Sequence, residues 1–214
     1  MQQIHYFEYH SFPDADAPFT GNPAGVCFLD AFPADGVMRG IAASNKHAET
    51  AFLTPAGPAT WNLRWFTPAI EVDLCGHATL AAGAAVFDSG LAAQAAHFDT
   101  RSGRLSVSKA AGQLRMDFPL IPSTPVKADA RVVTALGGPQ AVDFHEIGGV
   151  HGARYCLVVL PKEADVAGLQ PDIAALRAME TNVVVTAKGV SADFVSRFFA
   201  PASGIDEDPG TGSA

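Results

Sequence analysis

Short apolar runs separated by polar turns dominate the first half of the chain. Their pattern predicts strands at residues 4–9, 24–29, 50–53 and 63–66, the third of them ending at Pro55. Val37, Met38 and Ile41 recur at helical spacing, which predicts a helix over residues 35–45.

An Ala-rich apolar run follows the segment Asp73-Leu74-Cys75-Gly76-His77. Its length and composition predict a buried helix over residues 78–87. Beyond it, turn residues at Ser102-Gly103 and Ala111-Gly112 predict three short strands, at residues 96–101, 104–109 and 113–118. A Pro-rich stretch, residues 119–130, is expected to be a connection.

The second half repeats this style, with predicted strands at residues 155–160, 182–187 and 194–199 and a helix near residues 172–178. Two segments match directly, since Arg64-Trp65-Phe66-Thr67-Pro68-Ala69 aligns with Arg197-Phe198-Phe199-Ala200-Pro201-Ala202. Each is followed by a turn of small residues, 73–79 in the first copy and 208–214 in the second. The match predicts a duplicated α/β unit, with halves at residues 1–119 and 120–214.

The repeat makes two further predictions. A Gly-containing turn at a helix start exposes several backbone N–H groups, so each turn is suited to hold a carboxylate or phosphate. The first copy continues after its turn through a helix and a strand hairpin, whereas only Gly212, Ser213 and Ala214 follow Thr211. The second half is therefore expected to be incomplete at its C-terminus.

Composition and charge exclude several classes of function. Hydrophobic residues make up 48% of the 214 residues, charged residues 17%, and the formal net charge is −8. Without a cluster of Lys and Arg, nucleic acids and anionic membranes are not expected partners. No apolar run is long enough to span a membrane, no signal peptide is evident, and three widely spaced cysteines do not form a disulfide framework. A reducing cytoplasm is the expected compartment.

Candidate acid–base residues lie near the turns. Glu49 enters a predicted strand between apolar neighbours, where loss of hydration would suit it to proton transfer. His77 lies in the first turn and Asp208 opens the second. Cys75 heads the first helix, where a thiol is activated, but Thr211 stands at its counterpart position. Each residue also has an ordinary structural interpretation, as a solvated strand end, a packing imidazole or a helix-start acid.

Neither a metal site nor a nucleotide site is predicted. His145, Glu146 and His151 come nearest to a metal-ligating cluster, without a recognised ligand spacing. Gly210-Thr211-Gly212 is too short to indicate nucleotide binding.

Taken together, several motifs resemble the phenazine-biosynthesis-like (PhzF-like) isomerases, relatives of diaminopimelate epimerase. They are spread in order over the whole chain: residues 19–26 (FTGNPAGV), 49–52 (ETAF), 64–68 (RWFTP), 71–79 (EVDLCGHAT), 197–201 (RFFAP) and 207–214 (EDPGTGSA).

The resemblance implies an α+β fold of two pseudo-symmetric halves, each a curled, mostly antiparallel sheet around a central helix, with the active site between them. It implies an isomerase that needs no cofactor or metal and moves a proton on a small carboxylate substrate. Members of this family often form dimers, which extends to this chain by analogy.

The resemblance also assigns roles to individual residues. Glu49 matches the general acid/base, and His77 and Asp208 match its polar assistants. The residues matching the substrate site are Asn22, Cys75, Gly76, His77, Gly212 and Ser213. Two alternatives stay open: a racemase or epimerase that uses Cys75 as a base, and a catalytically inactive fragment that binds a small ligand.

Overall fold

A computed structural model describes residues 4–14, 16–17, 20–118, 120–148 and 153–212. These residues form two compact units, which divide between residues 118 and 120. We describe each unit by itself, as the first unit (residues 4–118) and the second unit (residues 120–212).

The first unit combines a mixed sheet with two helices. Its elements are β1 (His5–Ser11), β2 (Asn22–Phe28), α1 (Asp35–Asn45), β3 (Glu49–Gly57), β4 (Thr60–Phe66), β5 (Glu71–Val72), α2 (Gly76–Asp88), β6 (Ala95–Thr100), β7 (Gly103–Ala110) and β8 (Gln113–Met116). The strand order is β1-β2-β3-β4-β6-β7-β8, with β5 paired to β4. The β2–β3 and β4–β6 pairs are parallel, and the other pairs are antiparallel.

Helix α2 is the centre of this unit. It contacts β1, β2 and β3 as well as β6, β7 and β8, so the sheet must curl around it from one edge to the other. Small residues let the helix approach the sheet closely. A Cβ atom on Gly83 would lie only 2.6 Å from the Val107 side chain. The Ala-rich run therefore forms the buried helix that the sequence predicts.

Two local expectations for this unit are wrong. Strand β3 does not end at Pro55 but continues to Gly57, with an irregular register between these two residues. An irregularity accommodates proline, which cannot donate to the ladder. In α1, Met38 and Ala42 are buried while Val37 is half exposed, so the inward face is rotated from the one predicted.

The second unit is a smaller mixed sheet with short helices. Its elements are β9 (Ser123–Pro125), α3 (Ala130–Ala135), β10 (Asp143–Ile147), β11 (Arg154–Val159), α4 (Glu163–Ala167), α5 (Ile173–Ala178), β12 (Thr181–Lys188), β13 (Phe194–Ala200), a 3-10 turn (Pro201–Ser203) and β14 (Ile205–Asp208). The strand order is β14-β13-β12-β11-β10-β9. The predicted Pro-rich connection thus contains a short strand, β9. None of the helices in the described ranges is both long and apolar enough to cross a membrane.

The two units repeat one strand pattern. In β1–β5 and again in β10–β14, successive pairs are antiparallel, parallel, antiparallel and antiparallel. The matched arginines make the same contacts. Arg64 forms a bidentate pair with Glu71 of β5 (2.7 and 2.6 Å) and lies over the Phe66 ring. Arg197 does so with Glu207 of β14 (2.7 and 2.9 Å) and the Phe199 ring. The predicted α+β fold with an internal repeat is confirmed.

Candidate active site

Three of the predicted site residues come together in the first unit. Glu49 is the first residue of β3, Cys75 immediately precedes α2, and His77 is the second residue of that helix. All three side chains are buried, and Glu49 is only 9% exposed. Strand β3 and helix α2 therefore bring the Glu49 side chain to Cys75 and His77, which lie 26 and 28 residues further along the chain.

The His77 imidazole lies between the other two side chains. Its Nδ1 atom is 3.5 Å from the Sγ atom of Cys75, and its Nε2 atom is 3.4 Å from the Oε2 atom of Glu49. Within the described residues Nε2 has no hydrogen-bond partner, although the side chain is buried. The arrangement is a chain of thiol, imidazole and carboxylate.

Burial controls the charge of this imidazole. Loss of hydration, with a smaller contribution from the charge of His47, lowers the pKa of His77 to about 4. At neutral pH the ring is therefore uncharged and carries one N–H. Depending on which nitrogen carries the proton, the ring presents either an N–H or a lone pair to Glu49.

The start of α2 provides backbone donors beside this cluster. Cys75 is extended, with φ −146° and ψ 116°, and the first helical N–H···O bond runs from Thr79 to Cys75. The N–H groups of Gly76 and His77 precede that bond, at the positive end of a helix of 13 residues. Gly76 is tightly enclosed, because a Cβ atom there would lie 2.7 Å from the ring of Phe118.

Asn22 and Ser11 connect the edge of the sheet to the same turn. Asn22 is fully buried at the start of β2 and pairs with Ser11 across β1. The Ser11 hydroxyl donates to the backbone carbonyl of His77 at 2.8 Å. Sequence reasoning missed Ser11, because a serine at the end of a strand carries no motif.

The remaining predicted residues belong to the second unit. Asp208 ends β14, and its carboxylate accepts a hydrogen bond from the Thr211 hydroxyl. Gly212 is the last described residue, and Ser213 lies outside the described ranges. The predicted roles of Asp208, Gly212 and Ser213 stay predictions.

The other two cysteines differ from Cys75 in their surroundings. Burial raises the pKa of Cys27 to about 12 and that of Cys156 to about 11, so both thiols are protonated and unreactive at neutral pH. None of the three cysteines forms a disulfide.

If this protein held a metal ion, the buried cluster would be the place for it. One ligand atom each from Glu49, Cys75 and His77 lie within 4.8 Å of one another. The cluster named from the sequence is differently engaged: the Glu146 carboxylate binds Arg154, the ring of His145 lies beside Ser123, and His151 is outside the described ranges.

Comparisons with known proteins identify the family of this chain. The model of the family described as "Phenazine biosynthesis-like protein" (PhzC-PhzF) matches residues 12–214. An uncharacterized isomerase of Pseudomonas aeruginosa is 43% identical over 99% of this chain and 78% of its own length. The crystal structure of a PhzF-family phenazine biosynthesis protein from Enterococcus faecalis superposes with a TM-score of 0.81 at 39% identity, covering 98% of this chain and 78% of that one.

A more distant structure extends the likeness of the fold. A probable proline racemase from Agrobacterium radiobacter superposes with a TM-score of 0.56 at 12% identity, over 88% of this chain and 70% of its own. At this identity the likeness concerns the fold alone. The family match and the close relatives together show that this chain belongs to the phenazine biosynthesis-like (PhzC-PhzF) family.

Proposed function

We propose that this protein is an isomerase that moves a proton on a small carboxylate substrate without a cofactor, and that Glu49 is its general acid/base. The observation that carries the proposal is the buried Glu49 carboxylate, 3.4 Å from the Nε2 atom of the buried, uncharged His77. The name of the Pseudomonas aeruginosa relative, an isomerase, supports the reaction class.

The surroundings of Glu49 suit proton transfer. A carboxylate in a poorly hydrated site is a stronger base toward a carbon acid than one in water, because removing it from water disfavours its charge. Glu49 would take a proton from one carbon of the substrate and return a proton to another carbon of the same molecule. The enzyme then ends the cycle in the state in which it began.

The start of α2 supplies an anchor for the substrate carboxylate. We propose that the backbone N–H groups of Gly76 and His77 bind it, since the helix dipole and the N–H groups of the first turn favour an anion there. Negative charge grows on this group when the neighbouring carbon loses its proton. The same donors would therefore stabilise the transition state more than the ground state.

Further roles rest on the family resemblance. Asp208 is proposed as a polar assistant, and Asn22, Cys75, Gly212 and Ser213 as substrate-binding residues.

A second candidate is a racemase or epimerase in which Cys75 is the base. The contact between its Sγ atom and Nδ1 of His77 favours this candidate, because an imidazole can accept a thiol proton. Cys75→Ser discriminates, since a serine hydroxyl is far too weak a base to replace a thiolate. Retained activity in this variant excludes the candidate.

The proposal is tested by screening small cyclic and amino-acid carboxylates for deuterium uptake from heavy water. Uptake reports proton transfer without knowledge of the product. We expect the unchanged protein to label at least one compound and Glu49→Gln to label none. Equal labelling by the two proteins would remove Glu49 from its proposed role. Binding of a carboxylate without labelling would favour a protein that only binds its ligand.

A further inference from the structure

Both ring nitrogens of His77 face a protein side chain. The Nδ1 atom faces the Cys75 thiol at 3.5 Å, and the Nε2 atom faces the Glu49 carboxylate at 3.4 Å. A neutral imidazole has one N–H, so the proton can lie on only one of the two sides. Which side it occupies decides whether His77 presents a donor or a lone pair to Glu49.

The Glu49 side favours a proton on Nε2. With Glu49 ionised, a bare Nε2 would bring its lone pair within 3.4 Å of an anionic oxygen, which is repulsive. A proton on Nε2 converts the same contact into an attraction. Because the site is buried, both effects are larger than they would be in water.

The contact between Cys75 and Nδ1 is also compatible with a ring proton on Nε2. Cysteine is the residue just before α2, and no side-chain hydrogen bond from it caps the helix. Its S–H group can donate to Nδ1, which is an acceptor when the ring proton lies on Nε2. An alanine at position 75 could not make this bond, whereas a serine could.

From these contacts we infer that Cys75 is a positioning residue: its thiol donates to Nδ1 of His77 and thereby fixes the tautomer whose Nε2–H points at Glu49. The tautomer of a histidine is commonly set by the hydrogen bond of its other nitrogen. The inference rests on the proposed function where it concerns the reaction, but the tautomer itself does not depend on it.

The consequence for the reaction is a carboxylate held ready to accept a proton. The Nε2–H group faces one oxygen of Glu49 at 3.4 Å and favours the ionised form of the carboxylate. The proton taken from the substrate resides on Glu49, where it exchanges with solvent before a proton is returned, and neither Cys75 nor His77 gains or loses one. Cys75 thus acts through His77 and does not itself transfer a proton.

The direct test is the nitrogen NMR spectrum of protein labelled with ¹⁵N-histidine. Protonated and bare ring nitrogens have well-separated chemical shifts, and the signals of His77 among the seven histidines are identified by their loss in His77→Gln. We expect the Nε2–H form in the unchanged protein and in Cys75→Ser. In Cys75→Ala we expect a mixture of tautomers, because only the preference from the Glu49 side remains. An Nδ1–H form in the unchanged protein, or an unaltered tautomer in Cys75→Ala, would overturn the inference.

Kinetics on a substrate from the screen supply the second arm. We expect Cys75→Ala to lower kcat by about 10- to 100-fold with little change in KM, as loss of a partner that orients an active-site histidine does elsewhere. Cys75→Ser should stay within about threefold of the unchanged protein. Full activity in Cys75→Ala would contradict the inference, and loss of activity in Cys75→Ser would instead favour Cys75 as the base.

The control is Cys156→Ala, which removes a fully buried thiol from the core of the second unit. It should leave both the His77 tautomer and kcat unchanged. Failure of the proposed function would be seen separately, as deuterium uptake that survives Glu49→Gln. The NMR result can therefore contradict one proposal without deciding the other.

Discussion

Glu49 and Asn182 occupy equivalent positions in the two units. Each lies one residue before the partner of an aromatic residue on the next strand, because Thr50 pairs with Phe66 and Val183 pairs with Phe199. Their spacing along the chain equals that between Arg64 and Arg197. One copy of the repeat therefore carries a buried acid where the other carries a buried amide.

The amide has a structural task. Asn182 Oδ1 accepts from the backbone N–H of Ala202 at 3.0 Å, and Nδ2 donates to the Ser203 hydroxyl at 2.9 Å. In the first unit the corresponding turn is held instead by Thr67, whose hydroxyl accepts from the N–H groups of Ala69 and Ile70. With Thr67 holding that turn, position 49 is available for an acid.

We predict that Asn182→Ala lowers the free energy of unfolding by about 1–3 kcal/mol, because it leaves a turn N–H without its acceptor. Thr67→Ala should cost a similar amount in the first unit. Urea unfolding of the three proteins measures both effects. Asn182→Ala should still catalyse deuterium exchange at a temperature where it is folded, and loss of exchange in the folded variant would show that position 182 is more than structural.

The buried imidazole predicts a specific pH dependence of stability. The pKa of His77 is about 4 in the folded protein, below the value near 6.5 of an unfolded histidine. Protons therefore bind the unfolded chain more readily between these values, and stability falls as the pH drops from about 6.5 toward 4. The expected loss between pH 8 and pH 5 from this group is about 2 kcal/mol.

His77→Gln should remove this contribution, so that its stability changes less between pH 8 and pH 5 than that of the unchanged protein. Urea unfolding at the two pH values measures the difference. The other histidines are common to both proteins, so their contributions to the pH dependence of stability cancel in the comparison. Identical pH dependence in the two proteins would mean that His77 is not the buried neutral group described above.

The two matched arginine pairs differ in exposure, which predicts unequal contributions to stability. The Glu71 side chain is 10% exposed and also contacts Arg101, whereas that of Glu207 is 41% exposed. We expect Glu71→Gln to lower the free energy of unfolding by about 2 kcal/mol and Glu207→Gln by less than about 1 kcal/mol. Thermal unfolding at low and high salt checks this order. A larger loss of stability in Glu207→Gln than in Glu71→Gln would contradict the prediction.

Patterns along the sequence predicted much of the fold because they are local. The Ala-rich run forms α2, and the strand predicted at residues 63–66 lies within β4. The short elements α3, α4, β10 and β14 were missed, because four to six residues hold too little periodicity to separate a strand from a loop. The prediction that a strand ends at Pro55 is wrong for a different reason. Strand β3 continues past this residue through an irregular register.

The site residues were predicted one at a time, but their arrangement was not. Glu49 and His77 meet because β3 lies beside β2 in the sheet and α2 packs against both strands, and no spacing along the chain encodes this. The contact between His77 and Cys75 depends on the orientation of side chains at the helix start. The part played by Ser11 depends on a pairing between β1 and β2.

The central claim is that Glu49 transfers the proton. Its most direct test is the rate of deuterium incorporation by Glu49→Gln into a substrate from the screen, with binding of that substrate measured by calorimetry. Glu163→Gln, which alters an exposed carboxylate bound to the Val190 N–H, is the control. We predict unchanged binding in Glu49→Gln with a rate at least about 100-fold lower, the usual size of a general acid/base contribution. A rate within a few-fold of the unchanged protein would contradict the account.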